Sequence, residues 1–399
     1  MAFLAEDELN SATRKYILYS DDVETIDKDE QEIFKSIVAA MGAGGALTRK
    51  AHGHSVRTSH AKAHGLLKGQ LRVHDDLPAY LRQGLFSEPR SFDVIARLSH
   101  VPGDLDDDRK VSGPRGMSLK ILGVEGEKLP VHAGEVTQDF VLDTGKVFNA
   151  IGARTFLAQI SPVEHIAPYT PQTVKGAVST VSRVTNAALH VVGTDSAVLD
   201  FFGHPFIHPL AEPYYSQVPI RYGDYIAKLS VTPATEALRA LMVEKFNPQD
   251  YDGMRTATVG FFRDYPAEFV VGIQLCTDLE RMPVENANKE WPEDESPYQS
   301  VATLRFGAQD AWSPAHVKFV DDDLSFCPAH SLAAHRPLGS IMRARMLAYE
   351  VLGKQRRKEM EALHASPAVW TNYQSELLPI TQQTYADVSG FNLSGFVPR

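Results

Sequence analysis

The feature that most constrains the fold is a series of short segments in which residues alternate between two faces. The clearest runs from Phe92 to Val101, where Val94, Ala96, Leu98 and His100 share one face and Asp93, Ile95, Arg97 and Ser99 the other. Such alternation is typical of a β-strand. Further strands are predicted at Gly69–Val73, Gly116–Leu122, Asp139–Leu142, Phe269–Cys276 and Val301–Phe306, with strand-like pieces in 220–235. The pattern predicts an α+β fold, an antiparallel sheet or barrel with helices at its ends.

Helical segments lie on both sides of these strands. Gln31 to Met41 has apolar residues at helical spacing, and the glycine-rich stretch 42–45 is expected to end this helix as a linker. One long helix is predicted over 338–365, with the basic run Lys354–Lys358 on a solvated face. We therefore divide the chain into an N-terminal helical arm (1–50), a main domain (51–365) and a C-terminal tail (366–399).

Composition excludes several classes of function. The 399 residues carry a net charge of −10, which argues against nucleic acid as a partner. No apolar run reaches the length needed to cross a bilayer, and Met1–Asn10 lacks the features of a secretory signal, so we expect a cytoplasmic protein. Cys276 and Cys327 are the two cysteines and neither belongs to a CxxC pair. We therefore expect neither a disulfide scaffold nor a cysteine-based zinc site.

Histidines concentrate in one stretch of the N-terminal third. They are His52, His54, His60, His64 and His74. A metal cluster is one interpretation, but the HExxH spacing and the CxxC-plus-histidine spacing are absent. Because no GxSxG motif occurs, a serine hydrolase is also disfavoured.

Six separate segments, in one order along the chain, resemble segments of haem catalases. They are Arg57–Lys62 (RTSHAK), Arg97–Ser99 (RLS), Pro114–Lys120 (PRGMSLK), Ile273–Leu275 (IQL), Glu290–Pro292 (EWP) and Arg345–Tyr349 (RMLAY). The chain thus resembles the catalase-related haem proteins over about residues 50–355, and above all their shorter members. The resemblance implies a catalase-like antiparallel β-barrel with flanking helices and a haem b group buried between the barrel and the C-terminal helix. It also implies a small-molecule peroxide or hydroperoxide substrate, and a tendency to form homo-oligomers.

The resemblance assigns the two faces of the haem to two residues. Tyr349 would be the axial iron ligand, with Arg345 four residues earlier on the same helix face. Ferric iron and a guanidinium both favour the phenolate form of a tyrosine. His60 would be the distal acid–base residue, and Ser99 would fix its tautomer.

The remaining assignments concern charge and stacking. Arg57 and Arg97 would neutralise the haem propionates, because buried anions without cations cost several kcal/mol each. By its position, Phe156 is expected to stack near the macrocycle.

Two positions depart from the catalase pattern. Catalases place an asparagine over the iron, and here that position is Thr144, or Asp143 if the alignment shifts by one residue. Ser59 stands where catalases usually carry valine, and it resembles the threonine of catalase-like allene oxide synthases. Its hydroxyl is expected to bond to His60 or to distal water and thereby to suppress peroxide disproportionation. Both changes predict a haem oxidoreductase that is more like a peroxidase than an efficient catalase. A true catalase of modest rate, or a haem-binding or sensing protein without turnover, are the alternatives.

Overall fold

The computed structural model describes residues 15–166, 170–191, 199, 202–243 and 246–364. Residues 1–14 of the predicted arm and the predicted tail 366–399 lie outside the described residues. The domain boundaries at 50 and 365 stay predictions.

In the described ranges, nine strands form one antiparallel sheet. They are β1 Ala63–Val73, β2 Ser91–His100, β3 Arg115–Leu122, β4 Thr137–Asp143, β5 Tyr214–Tyr215, β6 Ile220–Tyr222, β7 Tyr225–Pro233, β8 Ala267–Leu275 and β9 Gln299–Phe306. Their order is β5-β4-β3-β2-β1-β9-β8-β7-β6, and β5 also pairs with β7. This last pairing closes eight of the strands into a barrel, which leaves those strands without a free edge. The predicted α+β fold with an antiparallel barrel is confirmed.

The alternation along β2 separates the inside of the barrel from its outside. Val94, Ala96 and Leu98 belong to the large apolar core that the strands share. Ile95 belongs instead to a second apolar cluster, against which Tyr349 packs. Since Arg97 has the same parity as Ile95, the outward face of β2 carries the polar residues that resemble catalase residues.

Six helices of eight or more residues accompany the barrel in the described part of the chain. They are α1 Glu30–His52, α2 Ala153–Ile166, α3 Gln172–Val191, α4 Glu236–Val243, α5 Gly253–Asp264 and α6 Ser340–His364. The predicted C-terminal helix is thereby found as α6. No helix in the described ranges is both long enough and apolar enough to cross a membrane.

The prediction that the glycine-rich stretch 42–45 ends the first helix was wrong. Helix α1 runs through them to His52 and ends at Gly53, whose φ of 68° is left-handed. A Cβ on Gly45 would lie 2.5 Å from Cγ2 of Thr58, so the missing side chain allows the helix to approach the loop that carries His60. Packing outweighs the helix-weakening effect of glycine, which is about 1 kcal/mol per residue.

The solvated face predicted for Lys354–Lys358 is only partly found. Lys354 and Lys358 are exposed, but Arg356 is buried, with 6% of its surface accessible. Its guanidinium donates to the backbone carbonyls of Asp321 and Leu324 at 2.8 and 3.0 Å. These carbonyls belong to, or directly follow, a π-helical turn at Val317–Asp323, which α6 thus holds against the barrel.

Candidate active site

His60 lies in the loop before β1, in a conformation that is unusual for a residue with a side chain. Its φ is 58°, and Nδ1 of its ring lies 3.2 Å from the Ser99 hydroxyl at the end of β2. A Cβ on Gly116 of β3 would lie 2.4 Å from the same Nδ1. The glycine therefore provides the space that the imidazole occupies, and Ser99 is placed to orient the ring.

Asp143, the last residue of β4, faces the other nitrogen of this imidazole. Its Oδ1 lies 3.4 Å from Nε2 of His60 and accepts no hydrogen bond from the described residues. Burial raises the pKa of the Asp143 carboxyl to about 6, although nearby Arg345 opposes the rise. A carboxyl that titrates near neutral pH beside an imidazole is a pair able to pass protons.

Thr144 also lines the cavity, but its hydroxyl is engaged elsewhere. Its Oγ1 accepts a hydrogen bond from the backbone N–H of Arg115 at 3.1 Å. Of the two residues left open by the alignment, Asp143 is therefore the one with a contact to the imidazole. A catalytic role for Thr144 stays a prediction.

The electrostatic surroundings keep His60 neutral. Burial holds the pKa of His60 well below its usual range, and the positive charges of Arg97 and Arg345 lower it further. A neutral imidazole retains a lone pair that can accept a proton. The surroundings thus suit His60 to act as a base.

Ser59 lines the same cavity, but it does not bind the histidine. Its hydroxyl donates to the backbone carbonyl of Val101 at 3.0 Å. The predicted contact between this hydroxyl and His60 is not present, and a contact with distal water stays a prediction.

Tyr349 and Arg345 lie together on α6, as their spacing predicts. Nη2 of Arg345 donates to the Tyr349 hydroxyl at 3.3 Å. Burial lowers the pKa of Arg345, but Tyr349 and Asp143 outweigh that effect and raise it overall. The guanidinium therefore stays charged beside the phenol oxygen.

One cavity joins the distal and proximal residues. It measures about 1520 Å³, and its lining includes His60, Asp143, Arg345 and Tyr349. Phe156 of α2 lines it as well, 5.3 Å from the ring of Phe148. The remaining lining is largely apolar and includes side chains from α1, α2 and α6: Ile37, Met41, Ile160, Ile341, Ala344 and Ala348.

Arg57 and Arg97 lie beside this cavity rather than in its lining. Both form ion pairs with Asp321 in the π-helical turn, and Arg97 does so at 2.7 Å. Burial opposes ionisation of Asp321, but Arg97 and Arg57 hold the pKa of its carboxyl at about 2. The sequence reasoning missed Asp321 altogether, because no motif marks it.

Arg356 was missed for a different reason. It stands seven residues after Tyr349, and a spacing of seven places both residues on one helix face. That spacing could have indicated that Arg356 lies on the same face of the helix as Tyr349.

The five N-terminal histidines do not form a metal cluster. His52 pairs with Asp104 at 2.8 Å, and His74 lies 3.0 Å from the Thr303 hydroxyl. His64 is buried, with its ring 5.7 Å from that of His100. The five histidines therefore serve separate parts of the structure.

Comparisons with known proteins identify the fold. No protein-family model matches the chain, and no curated protein matches it. Solved structures do match: a fungal catalase with 18% identity and a TM-score of 0.54, and catalase A from Saccharomyces cerevisiae with 19% identity and a TM-score of 0.54. A bacterial catalase matches with 15% identity and a TM-score of 0.51.

Each match covers 75% of this chain but only 59%, 61% and 57% of the respective catalase. The chain therefore spans about three fifths of the length of these catalases. At such low identity the likeness concerns architecture, and the closed barrel described above agrees with it. The chain has a catalase-like fold.

Proposed function

We propose that this protein is a haem-dependent oxidoreductase that acts on hydrogen peroxide or an organic hydroperoxide, more as a peroxidase than as an efficient catalase. One observation carries the proposal: Tyr349 and His60, which are far apart in sequence, line one cavity. A tyrosine is the ligand type that holds ferric haem iron in catalases. A buried neutral histidine is the residue type that most often serves as acid and base.

The residues of the cavity fit a haem b group. Its 1520 Å³ exceeds the roughly 300–1,000 Å³ of ordinary small-molecule pockets, which leaves room for a porphyrin and a substrate together. The lining offers aromatic rings at Phe148 and Phe156. Oδ1 of Asp143 is buried without a hydrogen-bond donor among the described residues, which fits a polar ligand beside it.

The propionates of a haem need positive partners. Arg57 and Arg97 already share Asp321, so we expect them to divide their donors between this carboxylate and the propionates. Their charges lie close enough to His60 to lower its pKa, which puts them near the distal side of the cavity. Tyr349 would hold the iron, and Arg345 would stabilise its phenolate.

Haem iron, when bound, supplies the redox chemistry that cleaves the peroxide O–O bond. The protein residues accept and donate the protons. Nε2 of neutral His60 accepts the proton of the incoming peroxide and later returns it to the leaving oxygen. Asp143, with a pKa of about 6, exchanges a proton with the same nitrogen, while Ser99 keeps the ring in place through Nδ1.

Two observations favour peroxidase-like over catalase-like turnover. If Asp143, which contacts His60, stands where catalases carry an amide, its ionised carboxylate cannot donate a hydrogen bond to a peroxide as an amide does. The cavity is also lined by Arg183, whose buried Nη1 has no hydrogen-bond partner among the described residues. A free donor in a large apolar cavity suits an organic substrate with an anionic group.

The proposal is tested by loading the protein with haem and recording its optical spectrum. We expect the spectrum of tyrosinate-ligated ferric haem, which Tyr349→Phe abolishes, because phenylalanine has no ligand atom. Oxygen evolution from hydrogen peroxide is then compared with oxidation of a dye reductant, for the wild type and for His60→Ala. We expect dye oxidation to dominate and the His60 variant to lose roughly 10²–10⁴-fold in rate.

The outcomes separate the alternatives. Strong oxygen evolution with little dye oxidation would identify a true catalase instead. Tyrosinate ligation without turnover of any peroxide would identify a haem-binding or sensing protein. An unchanged spectrum in Tyr349→Phe would overturn the assignment of the axial ligand.

A further inference from the structure

A second cluster of possible ligand atoms lies outside the cavity, where three parts of the chain meet. His132 belongs to a short 3-10 turn between β3 and β4, Cys327 and His330 to the loop after the π-helical turn, and Glu350 to α6. One ligand atom from each of these four residues lies within 4.8 Å of the others. His132 and Cys327 are buried, and the side chains of His330 and Glu350 are 11% and 23% exposed.

Both histidines are oriented as metal ligands commonly are. Nδ1 of His132 lies 3.0 Å from a carboxylate oxygen of Glu135, and Nδ1 of His330 lies 2.9 Å from Asp139. A carboxylate on the far nitrogen fixes the tautomer of a ligating histidine and leaves Nε2 for the metal. Nε2 of His132 is buried, has no hydrogen-bond partner among the described residues, and lies 3.4 Å from a Glu350 oxygen.

The loop that carries Cys327 and His330 is held by one carboxylate. Asp139 accepts the backbone N–H of Cys327 at 2.9 Å as well as the bond from the His330 ring, and it pairs with Lys120 at 2.7 Å. The Cys327 sulfur makes a weak 3.9 Å contact with the carbonyl of Met346 and a hydrogen bond with the backbone of Ala329. Neither partner is a side chain of the cluster, so the sulfur can bind a ligand that approaches from the cluster.

We propose that His132, Cys327, His330 and Glu350 bind one zinc ion tetrahedrally, through two imidazole Nε2 atoms, the sulfur and one carboxylate oxygen. This proposal departs from the expectation drawn from the sequence, because the four ligands come from separate segments and only one of them is a cysteine, so no CxxC spacing marks the site. Two nitrogens, one sulfur and one oxygen make a donor set that suits zinc, and four protein ligands make a closed, structural site. Bonds of about 2.0–2.3 Å give ligand separations of about 3.3–3.8 Å, so the outermost pair must close by about 1 Å. Binding releases the thiol proton to solvent, and nothing is oxidised or reduced.

This site does not depend on haem, and it has a structural consequence. Glu350 directly follows Tyr349, and successive helix residues point about 100° apart. A zinc ion would therefore tie the 3-10 turn and the Cys327 loop to the side of α6 that does not face the cavity. It would hold in place the helix that carries the phenol.

Metal binding to the full chain tests the inference. The purified protein is stripped with a chelator and titrated with zinc against a chromophoric competitor, and with cobalt(II) for its spectrum. We expect one zinc per chain and a cobalt–thiolate charge-transfer band. Cys327→Ser should weaken zinc binding at least about 100-fold, because loss of a supporting carboxylate alone costs roughly 10–100-fold. Cys276→Ser, at the other buried free cysteine, should bind zinc like the wild type.

Two further measurements test the site even if Cys327→Ser does not fold. The cobalt spectrum needs no substitution, and a wild-type chain without a thiolate band would overturn the site. Glu135→Gln changes a partly exposed partner of His132 and should weaken zinc binding about tenfold. Unchanged zinc affinity in Cys327→Ser would also overturn the site, as would an equal loss in Cys276→Ser.

Discussion

Replacing Asp143 by asparagine tests the electrostatics of the cavity. The two side chains have almost the same shape, so the substitution removes an ionisable group and leaves the packing in place. Asp143 is buried, with 6% of its surface accessible, and its Oδ1 accepts no hydrogen bond from the described residues. Burial raises the pKa of its carboxyl from 3.8 to about 6. The ionised form is therefore unfavourable in the folded protein.

The size and sign of the effect follow from this pKa. A rise from 3.8 to about 6 corresponds to about 3 kcal/mol. Because the folded state holds the proton more tightly than the unfolded state, the carboxyl costs nothing below pH 3.8. As the pH rises through 6, the folded protein must keep a buried carboxylate, and its free energy of unfolding falls. Asp143→Asn should thus be about 2–3 kcal/mol more stable than wild type at pH 7, and equally stable at pH 4.

Urea unfolding of the haem-free chain, followed by tryptophan fluorescence between pH 4 and pH 8, measures the difference. Asp75→Asn is the control, since Asp75 is 69% exposed in its pair with Arg72 and should change stability by less than about 1 kcal/mol at any pH. A difference between Asp143→Asn and wild type that is the same at pH 4 and pH 7 would refute the reasoning. So would a variant less stable than wild type at pH 7.

Two further substitutions probe how the site is held. Gly116→Ala places a Cβ 2.4 Å from Nδ1 of His60. Peroxide turnover per haem should therefore fall by roughly 10²-fold or more, while the haem content stays unchanged. Full turnover would contradict the role of the glycine. Asp321→Asn leaves the buried Arg97 and the partly buried Arg57 without their shared carboxylate and should lower the free energy of unfolding by about 3 kcal/mol in denaturant titrations. Asp323→Asn, in an exposed pair, should lower it by less than about 1 kcal/mol. Equal effects of these two aspartate variants would show that the buried ion pair contributes no more to the free energy of unfolding than the exposed one.

The parts of the fold that follow a local rule could be predicted from the sequence. The period of two along β2 predicted a strand with two different faces, and the spacing of four predicted the contact between Arg345 and Tyr349. Both depend on residues that are near in sequence. Local rules failed at the glycine-rich stretch 42–45, because Gly45 packs closely against Thr58, and local rules do not predict that this loop lies there.

The distal site shows why a one-residue ambiguity matters in a strand. Asp143 ends β4, and Thr144 follows it. Asp143 contacts the His60 ring, whereas the Thr144 hydroxyl accepts from the backbone N–H of Arg115, so an alignment shift of one residue changes which side chain is assigned beside His60. In the structure Asp143 lies opposite Gly116 of β3, whose missing side chain leaves the space for the His60 ring. Which of the two residues corresponds to the catalase asparagine stays a prediction. A sequence alignment alone does not show which residue at the end of β4 lies opposite Gly116.

Helix α6 connects the observations about the cavity with those about its surroundings. Tyr349 lines the cavity, and Glu350 lies beside His132 in the proposed zinc site. Arg356 donates hydrogen bonds to the π-helical turn that contains Asp321. The phenol is therefore positioned by contacts that lie outside the cavity: Glu350 on a neighbouring side of the helix, and Arg356 two turns further along the same face. A site whose ligands are supported in this way keeps its geometry when a substrate or cofactor enters. We therefore expect Arg356→Met, which removes these hydrogen bonds but keeps most of the side-chain volume, to weaken haem binding. The contact between Ser99 and His60 should stay intact. A variant that binds haem like the wild type would show that the barrel alone positions Tyr349.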